Sequence, residues 1–186
     1  MTGFILGLVG FISVLIIAIG VYVIVVYQKA LLYAEALDEC VEDLKLQIGD
    51  KFRLSKDFFE KARVLVSSEE SVFDEIAAIE KKLGATEDIY ESMDCFKTLR
   101  QKEEDIVLLE KFYQAMRNNI PYKVARDKSA ALDVKVKEYA DVYNMAADIF
   151  NDYYKLSRNK IVCKIFGYRE VKLIDNIDVK IEVEED

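Results

Sequence analysis

The sequence predicts an all-α chain in which an N-terminal transmembrane helix continues into an antiparallel bundle of four long helices, with a short irregular or strand-like tail behind it. Three observations predict this. The first 28 residues contain no Lys, Arg, Asp or Glu, although the 186-residue chain holds 26 basic and 34 acidic residues. Beyond them, apolar residues recur at three- and four-residue spacing along most of the chain, the period of a helix with one buried face. Proline occurs once, at Pro121, so little interrupts that period.

The head, FILGLVGFISVLIIAIGVYVIVVY from Phe4 to Tyr27, is long enough as a helix to cross a hydrocarbon core of ~30 Å at ~1.5 Å per residue. Tyr22 and Tyr27 fall at its far end, where aromatic side chains favour the interface. A cleaved signal peptide would need a basic leader, a shorter apolar core and small residues after it. Here Met-Thr-Gly precedes the core and YQKALLY follows it, so an uncleaved anchor over residues 1–28 is the expectation. Lys29 lies just past the span and no cation precedes it, which places the N-terminus outside and the remainder in the cytoplasm. Gly3 and Gly7 form a GxxxG pattern at the membrane edge, read as a loose helix start or as a dimerisation face.

The first helix of the bundle follows without a breaker, through Tyr33, Leu37, Cys40, Val41, Leu44 and Ile48, and Gly49-Asp50 is expected to end it. A second helix from Ser55 carries Phe59, Ala62, Val66, Phe73, Ile76, Ile79 and Leu83, and Gly84 stops it. Thr86 is the expected N-cap of a third helix. That helix uses Met93, Phe96, Leu99, Ile106, Leu109, Tyr113 and Met116 and ends before Pro121. A fourth runs from about Tyr122 to Leu156 through Val136, Tyr139, Tyr143, Ala146, Phe150 and Tyr154. Alternation appears only in the terminal VKLIDNIDVKIEVEED. The bundle therefore spans 29–157, and 158–186 form a basic, apolar juxtamembrane segment with an acidic tail.

Two apolar seams have gaps, near Glu69 in the second helix and near Lys102-Glu103 in the third. A buried Glu69–Lys102 layer would fix register, because a mismatched pairing would strand a charge. Long side chains reaching out of a loosely packed middle are the alternative. A helix break at Ser67-Ser68-Glu69-Glu70 is another, since Ser67 and Glu70 have capping-box spacing.

Composition excludes several kinds of chemistry. The chain has no histidine, hence neither the commonest general base nor the commonest metal ligand. A formal charge of −8 speaks against a nucleic-acid-binding surface. Cys40, Cys95 and Cys163 form neither a zinc spacing nor a closed disulfide set, and read as reduced thiols. The acidic runs Glu69-Glu70 and Glu103-Glu104-Asp105 read as solvated faces, because a di-iron bundle requires Glu-x-x-His. No catalytic residue, no metal site and no cofactor is expected.

Two features point to interaction. Tyr143 and Phe150 lie on the apolar face of the fourth helix, and Asn144 and Asn151 sit beside it one heptad apart. The amides either select a register across helices or bind a partner's backbone or a ligand. Between Lys155 and Lys172 the chain holds six basic residues against one acid. Arg158, Lys160, Lys164 and Arg169 there interleave with Ile161, Ile165, Phe166, Gly167 and Tyr168. An up-and-down bundle returns this segment to the bilayer, where it suits an anionic cytoplasmic leaflet. Capping of the open end of the bundle core is the alternative, and the two are compatible.

The run Tyr143-Asn144, Ala147, Phe150-Asn151, then Asn159-Lys160-Ile161 and Ile165-Phe166-Gly167-Tyr168, resembles the C-terminal signature of the LemA family, roughly YNxxVxxYN followed by NLIAGLFGF. Tyr27-Gln28, LDECVEDLKLQI at 37–48 and NNIPYK are similar in placement. The family's DLIPNLV-type turn is replaced here by RLSKDFF, and its ETEN-like acidic run is missing, so the chain resembles a divergent member. The resemblance implies a bacterial single-pass membrane protein with a short external N-terminus and a cytoplasmic bundle of long helices. It carries over no catalytic residue.

The expected function is that of a membrane-anchored, non-enzymatic scaffold or interaction module at the cytoplasmic membrane surface. The expected partners are the lipid bilayer, an unidentified protein and, as an open option, a second copy of the chain, but not nucleic acid. The alternative is a single-pass sensor or adaptor that binds a small ligand in the bundle core.

Overall fold

A computed structural model describes residues 2–66, 70–175 and 177, and among these residues there is no strand. Six helices follow one another: α1 (Thr2–Leu65), α2 (Glu70–Ala85), α3 (Ile89–Leu109), α4 (Gln114–Asn118), α5 (Ile120–Lys155) and α6 (Ser157–Ile165). The described residues pack as two compact units, one within Met1–Glu39 and Asn144–Leu173, the other within Cys40–Tyr143 and Ile174–Asp186.

In the Cys40–Tyr143 unit, the expected stop at Gly49-Asp50 does not occur. Helix α1 passes through both residues, so the stretch from Ser55 to Leu65 belongs to the first helix and not to a second one. A mid-helix glycine costs only about 0.5–1 kcal/mol relative to alanine. Leu44, Ile48, Phe52, Phe58, Phe59 and Ala62 are all buried along this part of α1. Burial of each larger apolar side chain contributes about 1.5–3 kcal/mol, so packing outweighs the glycine. Helix α1 ends at Leu65 and α2 is described from Glu70; Ser67–Glu69, on which the capping-box alternative rests, lie outside the described residues.

The third expected helix is also divided. Its N-cap is Asp88 and not Thr86: Asp88 Oδ1 accepts the Tyr90 N–H at 2.7 Å. Thr86 Oγ1 instead accepts the Asp88 N–H and donates to Glu91. Helix α3 ends at Leu109, and the five-residue α4 fills the space before Pro121. The Asn119 side chain then accepts the Tyr122 N–H at 2.9 Å, as an N-cap does, and Pro121 sits in the first turn, where its missing N–H costs nothing.

Side-chain pairs give the order of packing in this unit. Along α3 and α5, Tyr90 meets Tyr143, Arg100 meets Asp133, Glu103 meets Ser129, and Glu110 meets Tyr122 and Arg126. The partners descend α5 as they ascend α3. Between α1 and α2 the same reversal holds, with Lys56 beside Glu80 and the Arg63 guanidinium over the Phe73 ring. The tail shows no strand where it is described. Ile174 and Ile177, three residues apart, are both buried, which is not the two-residue alternation of a strand. Residues 178–186 of that expected strand lie outside the described residues.

In the other unit, Val26 and Ala30 of α1, Phe150 and Tyr154 of α5, and Val162 and Cys163 of α6 form one buried apolar cluster. Helix α6 occupies a stretch read from sequence as irregular. It ends in a Schellman motif: Gly167 adopts φ +84°, its N–H bonds the Lys164 carbonyl, and the Tyr168 N–H bonds the Cys163 carbonyl at 2.9 Å. That left-handed conformation is why glycine stands in the Phe166-Gly167-Tyr168 run.

Candidate membrane interface and buried ion cluster

The apolar head is helical as expected, and its side chains are uncovered. From Phe4 to Val25 nearly every large apolar side chain of α1 is exposed, with Phe4, Leu6 and Phe11 among the most open. Each would gain about 1.5–3 kcal/mol on leaving water, and none of the described residues provides that cover. By length and composition this is a helix that could cross a membrane. Ser13 does not interrupt it, because its hydroxyl returns to the Val9 carbonyl one turn back.

At the far end of this apolar stretch, polar contacts tie α6 and the end of α5 to α1. The Tyr22 hydroxyl donates to Asn159 Oδ1 at 3.0 Å, and Asn159 Nδ2 donates to the Tyr153 carbonyl. The Tyr153 hydroxyl reaches the Val26 carbonyl, and its ring meets Tyr33 edge-on. Tyr27 packs against Phe166 with ring centroids 4.5 Å apart. Asn159 is buried, and its two bonds satisfy both ends of its amide in place of water.

The residues singled out in the sequence divide among several roles. Phe150 is a core side chain packed edge-on to Tyr168. Asn151, also buried, holds the backbone of Val171 at both ends: its Nδ2 donates to the Val171 carbonyl and its Oδ1 accepts the Val171 N–H, each at 2.8 Å. That amide thus engages this chain's own returning segment. Asn144 is half-buried. Tyr143 belongs to the other unit, where its hydroxyl meets that of Tyr90 at 2.8 Å and burial pushes its titration well above the usual tyrosine range.

Arg158, Lys160, Ile161, Lys164, Ile165, Phe166, Gly167 and Arg169 are all exposed, and Tyr168 is half-buried. Lys155 is paired with Glu170 at 3.0 Å, and Lys160 lies over the Tyr154 ring. Cys163 is buried, and burial raises its thiol above the ordinary value, so it is a poor target for labelling.

The Cys40–Tyr143 unit contains a buried polar layer, but Lys102 is not part of it, and Glu69, its expected partner, lies outside the described residues. Lys102 is half-buried and pairs with Glu75. The layer is centred one residue on, at Glu103, and its cation is Lys51, which is fully buried at 0% exposure. Lys51 Nζ donates to Glu103 Oε2 at 2.6 Å, Ser129 Oγ at 2.9 Å and the Ser129 carbonyl at 3.0 Å. These three acceptors use all three ammonium protons. Asp133 Oδ1 lies 2.7 Å from the same nitrogen as a Coulombic contact, with no hydrogen bond of its own. Burial therefore holds the Asp133 carboxyl above its ordinary range despite Lys51 beside it. Ser129 Oγ completes the layer by donating to Glu103 Oε1 at 2.6 Å.

Lys51 is the principal residue that sequence reasoning misses. The gap at Lys102-Glu103 signals a polar layer, but its partner stands just after Gly49-Asp50, where a helix end is expected. Among the described residues no group of three His, Cys, Asp or Glu side chains is placed to hold a metal ion. Comparison with known protein families, with curated proteins and with solved structures gives no match to this chain.

Proposed function

We propose that this chain is a single-pass membrane protein whose apolar α1 segment lies in the bilayer and whose helical remainder serves as a non-enzymatic scaffold or interaction module at the cytoplasmic surface. The observation that carries this is the exposure of the large apolar side chains of α1 from Phe4 to Val25. A closed helix meets the requirement that backbone groups in lipid be satisfied within the segment. Tyr22 and Tyr27 at its end, followed by Lys29, support the inward orientation.

The reversed pairings of α1 with α2 and of α3 with α5 support an antiparallel four-helix bundle as the scaffold. The LemA resemblance of Tyr143–Tyr168 supports the same reading. Gly167 as the helix stop, Asn151 as the clamp on Val171 and Asn159 as the link to Tyr22 give structural work to residues of that signature. The small-ligand alternative needs unused polar groups in the core; the Lys51 ammonium has none, and Asp133 Oδ1, which accepts no hydrogen bond, is held 2.7 Å from that ammonium.

Alkaline washing of membranes tests the anchor: the intact chain is expected to stay with the vesicles, and its release overturns the reading. Orientation is tested with an impermeant maleimide on intact cells. Buried Cys163 is unsuited to this, so the reporters are Arg158→Cys and Thr2→Cys in a Cys40→Ser background. Labelling of Thr2→Cys alone is expected. Labelling of Arg158→Cys without lysis reverses the orientation.

A further inference from the structure

Helix α6 presents two stripes outward. Asn159, Val162 and Cys163 are buried, leaving Ile161 and Ile165 one turn apart on one exposed stripe and Lys160 and Lys164 one turn apart on the adjacent one. The isoleucines are 67% and 74% exposed. Arg158, Lys164, Arg169 and Lys29 are exposed cations with no ion pair to a carboxylate among the described residues, in contrast to Lys155, which Glu170 neutralises. No acid lies within α6.

The level of this helix along α1 is set by Tyr22–Asn159 and Tyr27–Phe166. From Phe4 to Tyr22 a helix rises about 27 Å, close to the ~30 Å hydrocarbon thickness. The outward face of α6 thus adjoins the end of the apolar surface. An exposed apolar stripe beside a cationic one, continuous with a lipid-facing helix, has the pattern of a helix lying in the membrane–water interface.

We propose that α6 and the Gly167 turn form an interfacial collar that binds anionic phospholipid headgroups. In this collar Ile161 and Ile165 enter the acyl boundary, while Arg158, Lys160, Lys164 and Arg169 contact phosphates. The proposal rests on the single-pass reading above and adds a partner class to it. Zwitterionic lipid would satisfy the isoleucines but offers no net negative charge to the cations, so charge complementarity selects the anionic lipid.

The chain contains no tryptophan, so Ile165→Trp is a single fluorescent reporter at an exposed position. The full chain carrying it is reconstituted into nanodiscs of mixed phosphatidylcholine and phosphatidylglycerol, with bromine on the acyl chains of one lipid or the other. Stronger quenching by brominated phosphatidylglycerol at equal mole fraction is expected. Lys164→Gln should lower that preference by up to about fivefold, and added salt should lower it as well. Equal quenching by the two lipids overturns the proposal, as does a preference that survives replacement of all four cations by glutamine. Absence of quenching by either lipid in protein that still co-floats with the discs also overturns it, leaving the anchor intact. Failure to co-float overturns the single-pass reading and the collar with it. Ile161→Trp repeats the measurement at a second exposed site, so a folding defect of one variant does not decide the outcome.

Discussion

In the unit built from Met1–Glu39 and Asn144–Leu173, the polar side chains taken out of water are neutral amides, Asn151 and Asn159. The unit containing Cys40–Tyr143 buries an ammonium and two carboxylates, Lys51 with Glu103 and Asp133. A neutral amide with both ends bonded to the chain carries a small desolvation cost, because its oxygen and its nitrogen each regain a hydrogen bond and no charge is buried. A buried ion loses several kcal/mol of solvation that only good geometry restores. The amides therefore act as local fasteners for a turn or a helix end. The ions tie together three helices distant in sequence and penalise any arrangement that separates them.

The largest effect expected from this difference is at Lys51. Lys51→Met leaves Glu103 and Asp133 buried with Arg100, 3.8 Å from Asp133, as the nearest compensation. Removing one partner of a buried pair costs about 3–5 kcal/mol, measurable as a lowered denaturation midpoint of the full chain in detergent micelles. Replacing all three ions by apolar residues should recover most of that loss. A Lys51→Met chain as stable as the parent would show that the cluster does not hold the unit. The same layer predicts a pH dependence. Because burial raises the folded Asp133 value above 3.8, the folded chain holds that proton more tightly than the unfolded one. The resulting stability is full below pH 3.8 and is lost as pH rises through the folded value. Stability of the parent minus that of Asp133→Asn should fall across that window, and a flat difference would remove Asp133 from the account.

Much of this fold is legible in the sequence because its signals are local. The uncharged head, the three-to-four spacing of apolar residues and Pro121 place most of the helical content directly. The errors arise where a local signal loses to packing. Gly49 reads as a stop, yet Leu44, Ile48 and Phe52 keep the helix running through it. Lys51 is hidden for the same reason, since a lysine next to a supposed turn reads as solvated. The register between helices is set by groups far apart in sequence, so Glu103 is near a visible gap while its cation is not. Helix α6 is missed because one of its three buried positions, Asn159, looks polar without Tyr22 and Tyr153 to satisfy the amide.

A smaller, more local loss is expected when an amide is removed. Asn151→Leu deletes both bonds to Val171 and strands that residue's N–H and carbonyl. Net loss is about 2–3 kcal/mol if both groups stay buried, and less if they reach water. Hydrogen exchange separates this from the Lys51 case. The Val171 amide should exchange much faster, whereas amides of α3 should keep their protection. Uniform loss of protection through both units would contradict the local role given to the amide.

The finest comparison uses one substitution in both units. Gly49 lies inside a helix and an added Cβ there meets nothing within 4 Å, so Gly49→Ala removes only the flexibility of the unfolded chain. It should stabilise by about 0.5–1 kcal/mol. At Gly167 an added Cβ also meets nothing within 4 Å, but φ is +84°. Alanine there must occupy the left-handed region at a cost of about 1–2 kcal/mol or release the Schellman bonds to Lys164 and Cys163. Opposite signs in thermal unfolding are therefore expected from the same methyl group in equally open space. If both variants stabilise, the turn after α6 is not held in that conformation, and Tyr168 would lose the geometry that brings it against Phe150. If both destabilise, the helix at Gly49 is under a constraint that its open surroundings do not explain.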